Sequence, residues 1–315
     1  MTGTSRSGNR AADRRRTPRY ALPTITALLV TGSVWIATTA PLTRSEPLSA
    51  QRNVEAVSAD PAGRSHTHGR QAGPHRVEHL RVKVLETLPH DPESFTQGLE
   101  MTGSTLYEGT GLSGHSSVRS GAPGTPPTAR VGLPAPLFGE GITLVGRTLW
   151  QLTWRDRIAI ERDATTLREL RRLPYPDEGW GICFDRLKRQ LVTSDGSARL
   201  AFRDPRTLAK TGEVTVTEDG RPVTRVNELE CADHAVYANV LSTDRVVRID
   251  PLTGTVTASI DASGLLRADE LVPGSTLNGI AAVPGTDQFL LTGKFWPKMF
   301  RVALVPAQPP SRTAR

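Results

Sequence analysis

Five segments share one pattern: Gln97-Gly98-Leu99-Glu100-Met101, Glu140-Gly141-Ile142-Thr143-Leu144, Trp180-Gly181-Ile182-Cys183-Phe184, Asn227-Glu228-Leu229-Glu230-Cys231 and Asn278-Gly279-Ile280-Ala281-Ala282. Each is a polar or aromatic residue, then usually Gly, then Leu or Ile. A second apolar run follows each one: Leu106–Gly111, Leu149–Trp154, Leu191–Gly196, Val236–Leu241 and Phe289–Lys294. A third run alternates in polarity, at 116–119, 158–162, 199–204, 246–250 and 299–302. Turn formers such as Asp204-Pro205 and Asp250-Pro251-Leu252-Thr253-Gly254 close the third and fourth units. A repeat of roughly 40–50 residues made of three or four short strands is the pattern of a propeller blade. Five such units fill residues 80–303, so the expected fold is an all-β five-bladed propeller. An irregular β-sandwich would not need its strands to repeat a sequence pattern. Sustained helical periodicity is absent, and so is a glycine-rich phosphate loop between a strand and a helix.

Outward from the repeats the chain changes character. Residues 44–79 are polar and rich in Pro, Gly, Ser and Arg, the composition of a disordered linker. Its His66, His68, His75 and His79 lack regular ligand spacing or companion Cys or Asp, and read as solvated rather than metal-binding. Residues 1–43 combine a basic start (Arg6, Arg10, Arg14, Arg15, Arg16 and Arg19) with the mostly apolar run 21–40, an expected export signal or single membrane anchor. Residues 304–315 read as a tail. Of the formal net charge of +7, residues 1–20 hold +5 and the remaining chain about +2 with both signs interspersed, which excludes a basic nucleic-acid face on the folded part. A monomer that touches a membrane only through its N-terminal segment, exported to the periplasm or cell exterior, is expected.

In a propeller, equivalent residues of every blade sit at one height around one axis. The residues opening the first strands then form a ring of Gln97, Glu140, Trp180, Asn227 and Asn278, and those closing the second strands a ring of Gly111, Trp154, Gly196, Leu241 and Lys294. If both rings face one mouth, an acid, a cation, several amides and two indoles converge there. Taken singly, Glu140 is a solvated turn residue, Lys294 a surface charge, Trp154 and Trp180 packing between blades, and Asn227 and Asn278 turn caps. Their coincidence at repeat-equivalent positions favours a site. The two cysteines, Cys183 and Cys231, fall one position apart in the repeat alignment. Adjacent strand positions point to opposite faces, so two buried free thiols are expected.

The segments His90-Asp91-Pro92, Phe95-Thr96-Gln97-Gly98-Leu99, 106–112 (LYEGTGL), Phe138-Gly139-Glu140-Gly141, Gln151-Leu152-Thr153-Trp154, Glu178-Gly179-Trp180-Gly181, Ser194-Asp195-Gly196-Ser197, Asn227-Glu228-Leu229-Glu230, 277–281 (LNGIA) and 292–297 (TGKFWP) occur in this order. Together they resemble the glutaminyl-peptide cyclotransferases of plants and bacteria across residues 80–302. The resemblance implies a cyclisation of N-terminal glutamine that needs no cofactor and no catalytic metal. Residue by residue, it implies Glu140 as acid/base, Lys294 as its cationic partner, and Asn227 and Gln97 as polar groups that hold substrate; Asn227 is also expected to be catalytic, stabilising the oxyanion with Lys294. Phe95, Phe138, Trp154 and Trp180 match the pocket walls. The family tends to have a Trp where this chain has Leu241, which bears on substrate preference or rate. A structural calcium ion in the central channel is also implied. The competing expectations are a non-catalytic peptide-binding propeller and a metal hydrolase. The second would need His or carboxylate ligands around the axis, and His90, His115 and His234 lie outside both rings.

Overall fold

The chain divides into two units, Met1–His68 and Gly69–Arg315. The computed structural model describes residues 76–307, all within the second, so the expected signal or anchor, most of the linker and the last eight residues lie outside the described residues. No helix among the described residues is long and apolar enough to cross a membrane.

The described chain is all-β. β1 (Glu78–Pro89) comes first, and then four-stranded units follow one another. The first unit is β2 (Thr96–Thr102), β3 (Thr105–Thr110), β4 (Ser117–Gly121) and β5 (Ala129–Gly132); the second is β6 (Gly139–Val145), β7 (Thr148–Thr153), β8 (Ile158–Asp163) and β9 (Glu169–Pro174). The third is β10 (Ile182–Asp185), β11 (Gln190–Ser194), β12 (Arg199–Arg203) and β13 (Lys210–Thr215). A small hairpin of β14 (Thr217–Glu218) and β15 (Arg221–Pro222) precedes β16 (Val226–Ala232), β17 (Ala235–Val240), β18 (Arg245–Ile249) and β19 (Val256–Asp261). The last unit holds β20 (Thr276–Ala282), β21 (Gln288–Lys294) and β22 (Lys298–Pro306). Its fourth strand is β1, antiparallel to β22, so the start of the described chain completes the unit at its end. β1 also runs parallel to β19, which merges the last two units into one eight-stranded sheet.

The repeated Gly-Leu/Ile dipeptide has a packing reason. Leu99, Ile142, Ile182, Leu229 and Ile280 are all buried to about 1% exposure, and each first strand packs against the next, β2 on β6, β6 on β10, β10 on β16, β16 on β20 and β20 back on β2. A Cβ on Gly141 would lie 2.5 Å from the Trp180 carbonyl oxygen, so the strands approach this closely only because that position has no side chain. The fourth unit has Glu228 at this position instead. Its buried carboxylate accepts from Leu99 N–H at 3.1 Å and Ile280 N–H at 2.9 Å, tying three first strands together.

Cys183 and Cys231 form a disulfide with a Cα–Cα distance of 5.4 Å, which corrects the expectation of free thiols. The two positions do point to opposite faces of their own sheets. They stand, however, on β10 and β16, neighbouring sheets packed face to face, and such sheets present opposite faces to each other. An odd offset in the repeat is therefore what brings two side chains together. The bridge closes a loop of 48 residues, and a Cys183→Ser, Cys231→Ser double variant is expected to lose about 2–5 kcal/mol of unfolding free energy, measured by urea denaturation; an unchanged midpoint would contradict this.

Candidate active site

Antiparallel pairing puts the start of each first strand beside the end of the second strand in its unit: Thr96 pairs with Thr110, Gly139 with Thr153, Val226 with Val240 and Thr276 with Lys294. Both rings of sequence-equivalent residues therefore lie at the same end of the strands. Glu140, Lys294, Gln97, Asn227 and Asn278 are all buried there, none more than 7% exposed. Phe95, Phe138, Trp154 and Trp180 are half-buried.

The amides form a directed chain. Asn227 Nδ2 donates to Asn278 Oδ1 at 2.7 Å, Asn278 Nδ2 donates to Gln97 Oε1 at 3.1 Å, and Gln97 Nε2 donates to Glu140 Oε1 at 3.1 Å. Asn278 Nδ2 also donates to the Thr96 carbonyl at 2.9 Å, which uses its second hydrogen. A carboxylate at one end accepts only, so each amide in turn has its orientation dictated, and bonds aligned in this way polarise one another.

Charge at the site is finely poised. Burial raises the Glu140 pKa well above the ordinary carboxylate range; the positive charge of Lys294 opposes this and the negative charge of Glu178 adds to it. Burial pushes Lys294 down to about 8, with Glu140 acting against the shift. The Lys294 ammonium stands 4.5 Å from the centre of the Phe95 ring, a cation–π contact that partly replaces lost water. A buried acid with a raised pKa and a buried lysine with a lowered one are a functional-site signature when they share one mouth.

The walls are a run of aromatic rings. Phe295 meets Phe95 at 5.2 Å between centroids, Phe95 meets Phe138 at 6.0 Å, and Phe138 meets Trp154 at 5.5 Å. Trp154 Nε1 donates to Glu178 Oε2 at 3.1 Å, and Arg155, held by the other Glu178 oxygen, stacks over the Trp154 ring at 4.1 Å. Trp180 Nε1 is buried and has no hydrogen-bond partner among the described residues. Two glycines shape these walls. A Cβ on Gly111 would meet the Phe138 ring at 2.5 Å, and one on Gly196, whose φ is +78°, would meet the Trp180 ring at 2.5 Å. Gly196→Ala is expected to displace Trp180, lowering kcat/KM about ten- to a hundredfold and stability by about 1–2 kcal/mol; steady-state kinetics with indole fluorescence would check it, and parent-like values for both would contradict it.

All eight residues singled out from the sequence lie at this mouth or in its walls. The sequence reading missed Phe295 and Glu178 as wall and rim residues and did not rank Asn278, the central link of the amide chain, above a ring member. Glu178 and Phe295 each neighbour a recognised residue, in Glu178-Gly179-Trp180 and Lys294-Phe295, and that adjacency was the available signal. Leu241 is half-buried at the end of β17, its N–H donating to the Arg225 carbonyl, and contributes no ring to the wall.

No site preformed for the implied calcium ion stands among the described residues. No three His, Cys, Asp or Glu side chains among them converge as ligands. Three buried acids repel one another: Glu100 and Glu228 accept from the Thr143 hydroxyl and the N–H groups of Leu144, Leu99 and Ile280, and Glu230 lies within their electrostatic reach.

The family model described as glutamine cyclotransferase matches residues 56–304. Among curated proteins, a glutaminyl-peptide cyclotransferase of Arabidopsis thaliana is 35% identical over 243 residues, which is 73% of this chain and 72% of that protein. Among solved structures, the crystal structure of Myxococcus xanthus glutaminyl cyclase is similar with a TM-score of 0.70 and 35% identity, over 74% of this chain and 100% of that one.

Proposed function

The chain belongs to the glutamine cyclotransferase family, and from this premise we propose how the Glu140 mouth carries out that family's reaction. The activity is the conversion of an N-terminal glutaminyl residue of a peptide to a pyroglutamyl residue with release of ammonia. The observation that carries the assignment of residues is the buried Glu140 at the end of the amide chain, electrostatically coupled to Lys294.

The α-amine of the substrate attacks the carbonyl carbon of its own side-chain amide. A neutral amine is needed, and an unperturbed α-amine has a pKa of about 7.7–8.0. Glu140 takes the proton that the amine nitrogen releases on forming the new C–N bond. It then gives that proton to the departing amide nitrogen as the old C–N bond breaks, and ammonia leaves. Raising the Glu140 pKa by burial suits both halves of this exchange. Lys294 stabilises the oxyanion that develops on the carbonyl oxygen. Asn227, whose second side-chain amide hydrogen and side-chain oxygen have no partner among the described residues, and Gln97 hold the substrate end. Phe95, Phe138, Trp154 and Trp180 fold the side chain back on its amine and exclude water. Each step is carried by a side chain of this chain.

The five four-stranded units, with neighbouring first strands packed around to the start, support a five-bladed propeller as the architecture that gathers these residues. Export is supported by the basic start and apolar run of residues 1–40 and by the Cys183–Cys231 disulfide, since such bonds persist in oxidising compartments. The alternative of a non-catalytic peptide-binding protein has no support from the comparisons. The purified full-length chain, incubated with a glutamine-initiated peptide with and without a chelator, is expected to release ammonia equally in both and to leave the α-N-acetylated peptide untouched. Turnover of the acetylated peptide, or none of the free one, would refute the assignment.

A further inference from the structure

Two short segments bring most of the site together. Residues 90–97 carry Phe95 and Gln97 into β2, and residues 293–297 carry Lys294 and Phe295 out of β21. Two backbone hydrogen bonds cross between them: Phe295 N–H donates to the Ser94 carbonyl at 2.7 Å and His90 N–H donates to the Pro297 carbonyl at 3.0 Å. Phe295 has φ of 60°, a region that a bulky L-residue occupies only where its surroundings hold it.

Behind this crossing lies a buried charge cluster. His90 Nδ1 donates to the Trp296 carbonyl at 2.7 Å and His90 Nε2 donates to Glu108 Oε1 at 3.1 Å. Both partners only accept, so both ring nitrogens carry hydrogen and the ring is a cation. Glu108 Oε2 takes Arg119 Nε at 2.8 Å and Nη2 at 2.6 Å, and Arg119 Nη1 reaches Asp91 Oδ2 at 2.8 Å. These are the charged groups around His90. Burial opposes the His90 cation, but the Glu108 bond and charge and the Trp296 carbonyl outweigh it and hold its pKa above the ordinary value. The cluster also reaches the amide chain: Thr96 Oγ1 donates to Glu108 Oε1 at 2.8 Å, and the Thr96 carbonyl accepts from Asn278. It forms one wall of a cavity of about 370 Å³, yet both Glu108 oxygens are already committed within the protein, so this wall braces rather than binds.

We propose that His90 is a positioning residue of the cyclisation site: its Nδ1–H braces the turn carrying Lys294 and Phe295 against the segment carrying Phe95 and Gln97, and its Nε2–H to Glu108 orients the ring. The inference rests on the roles assigned to Lys294 and Gln97 above. His90 touches none of the reacting atoms. Its effect passes through the placement of the Lys294 ammonium and the Phe95 ring beneath it, and through Thr96 to the amides that orient Glu140.

Two variants separate the two bonds, since an asparagine amide falls near the position of Nδ1 and a glutamine amide near that of Nε2. His90→Asn keeps the bond to Trp296; His90→Gln keeps only the bond to Glu108. Both are compared with the parent in the full-length chain for kcat, KM, pH profile and thermal midpoint. His90→Gln is expected to lose at least about tenfold in kcat and to move the alkaline limb set by Lys294, while His90→Asn recovers most of the parent kcat at a similar thermal midpoint. Parent-like kcat and pH profile in His90→Gln, or His90→Asn no better than His90→Gln, would overturn the brace. A parent that releases no ammonia would overturn the cyclisation site itself, which keeps the two failures apart.

Discussion

Glu140→Gln is expected to lower kcat by about 10²–10⁴-fold with KM and folding stability close to those of the parent. The substitution removes the proton carrier and little else. Gln97 Nε2 donates to Glu140 Oε1, and a glutamine oxygen at the same place accepts that bond, so the amide chain from Asn227 keeps its direction. The side chain is buried, and its raised pKa means that the folded protein disfavours the carboxylate there. A neutral amide of the same shape relieves that penalty, so the thermal midpoint is expected to hold or rise. Steady-state kinetics beside thermal unfolding checks both halves. A variant that retains a tenth or more of the parent kcat would remove Glu140 from the proton-transfer role; a large drop in stability would show the rate loss to be structural.

Lys294→Met is expected to cost about 10²–10³ in kcat and to erase the alkaline limb of the pH profile. In the parent, Lys294 has a pKa of about 8. As pH rises through that value the ammonium becomes neutral, the oxyanion loses its positive partner, and the rate falls. The acid limb belongs to the substrate amine and to Glu140, both of which must be deprotonated for attack. The optimum therefore lies in a narrow band between them, and Lys294→Met is expected to show only the acid limb. The stability effect has the opposite sign. The folded pKa lies below the unfolded value of about 10.4, so the folded state is penalised by the buried charge fully below about pH 8, and the penalty fades as pH rises from there to the unfolded value. The methionine variant is consequently expected to be at least as stable as the parent at neutral pH. A persisting alkaline limb near 8 would assign that ionisation to another group.

Much of this site is legible in the sequence because repetition converts sequence position into an equivalent place on each repeated strand. Gln97, Glu140, Trp180, Asn227 and Asn278 open equivalent strands, and Trp154, Gly196 and Lys294 close the paired ones, so alignment of the five segments alone gathers them. Repetition cannot convey what occurs once. β1 completes the last unit by pairing with β22, some two hundred residues away, and nothing in its pattern of alternating residues names that edge. The disulfide was misread because the two-residue alternation describes one strand, whereas Cys183 and Cys231 belong to facing sheets. Phe295 and the His90–Glu108–Arg119 cluster depend on a positive φ and on three segments converging in space, and no spacing along the chain signals either. The glycines stand between these cases: Gly98, Gly141 and Gly181 mark the repeat in sequence, but only the 2.1–2.6 Å approaches of neighbouring backbone explain why it is glycine.

In the proposed reaction the substrate amine displaces its own side-chain amide at Glu140. It is tested most directly with a glutamine-initiated peptide labelled with nitrogen-15 in the side-chain amide, incubated with the full-length parent and with Glu140→Gln. The parent is expected to release all of the label as ammonia, one per pyroglutamyl peptide formed, and the variant almost none. Label retained in the peptide product, or equal release by the two proteins, would contradict it.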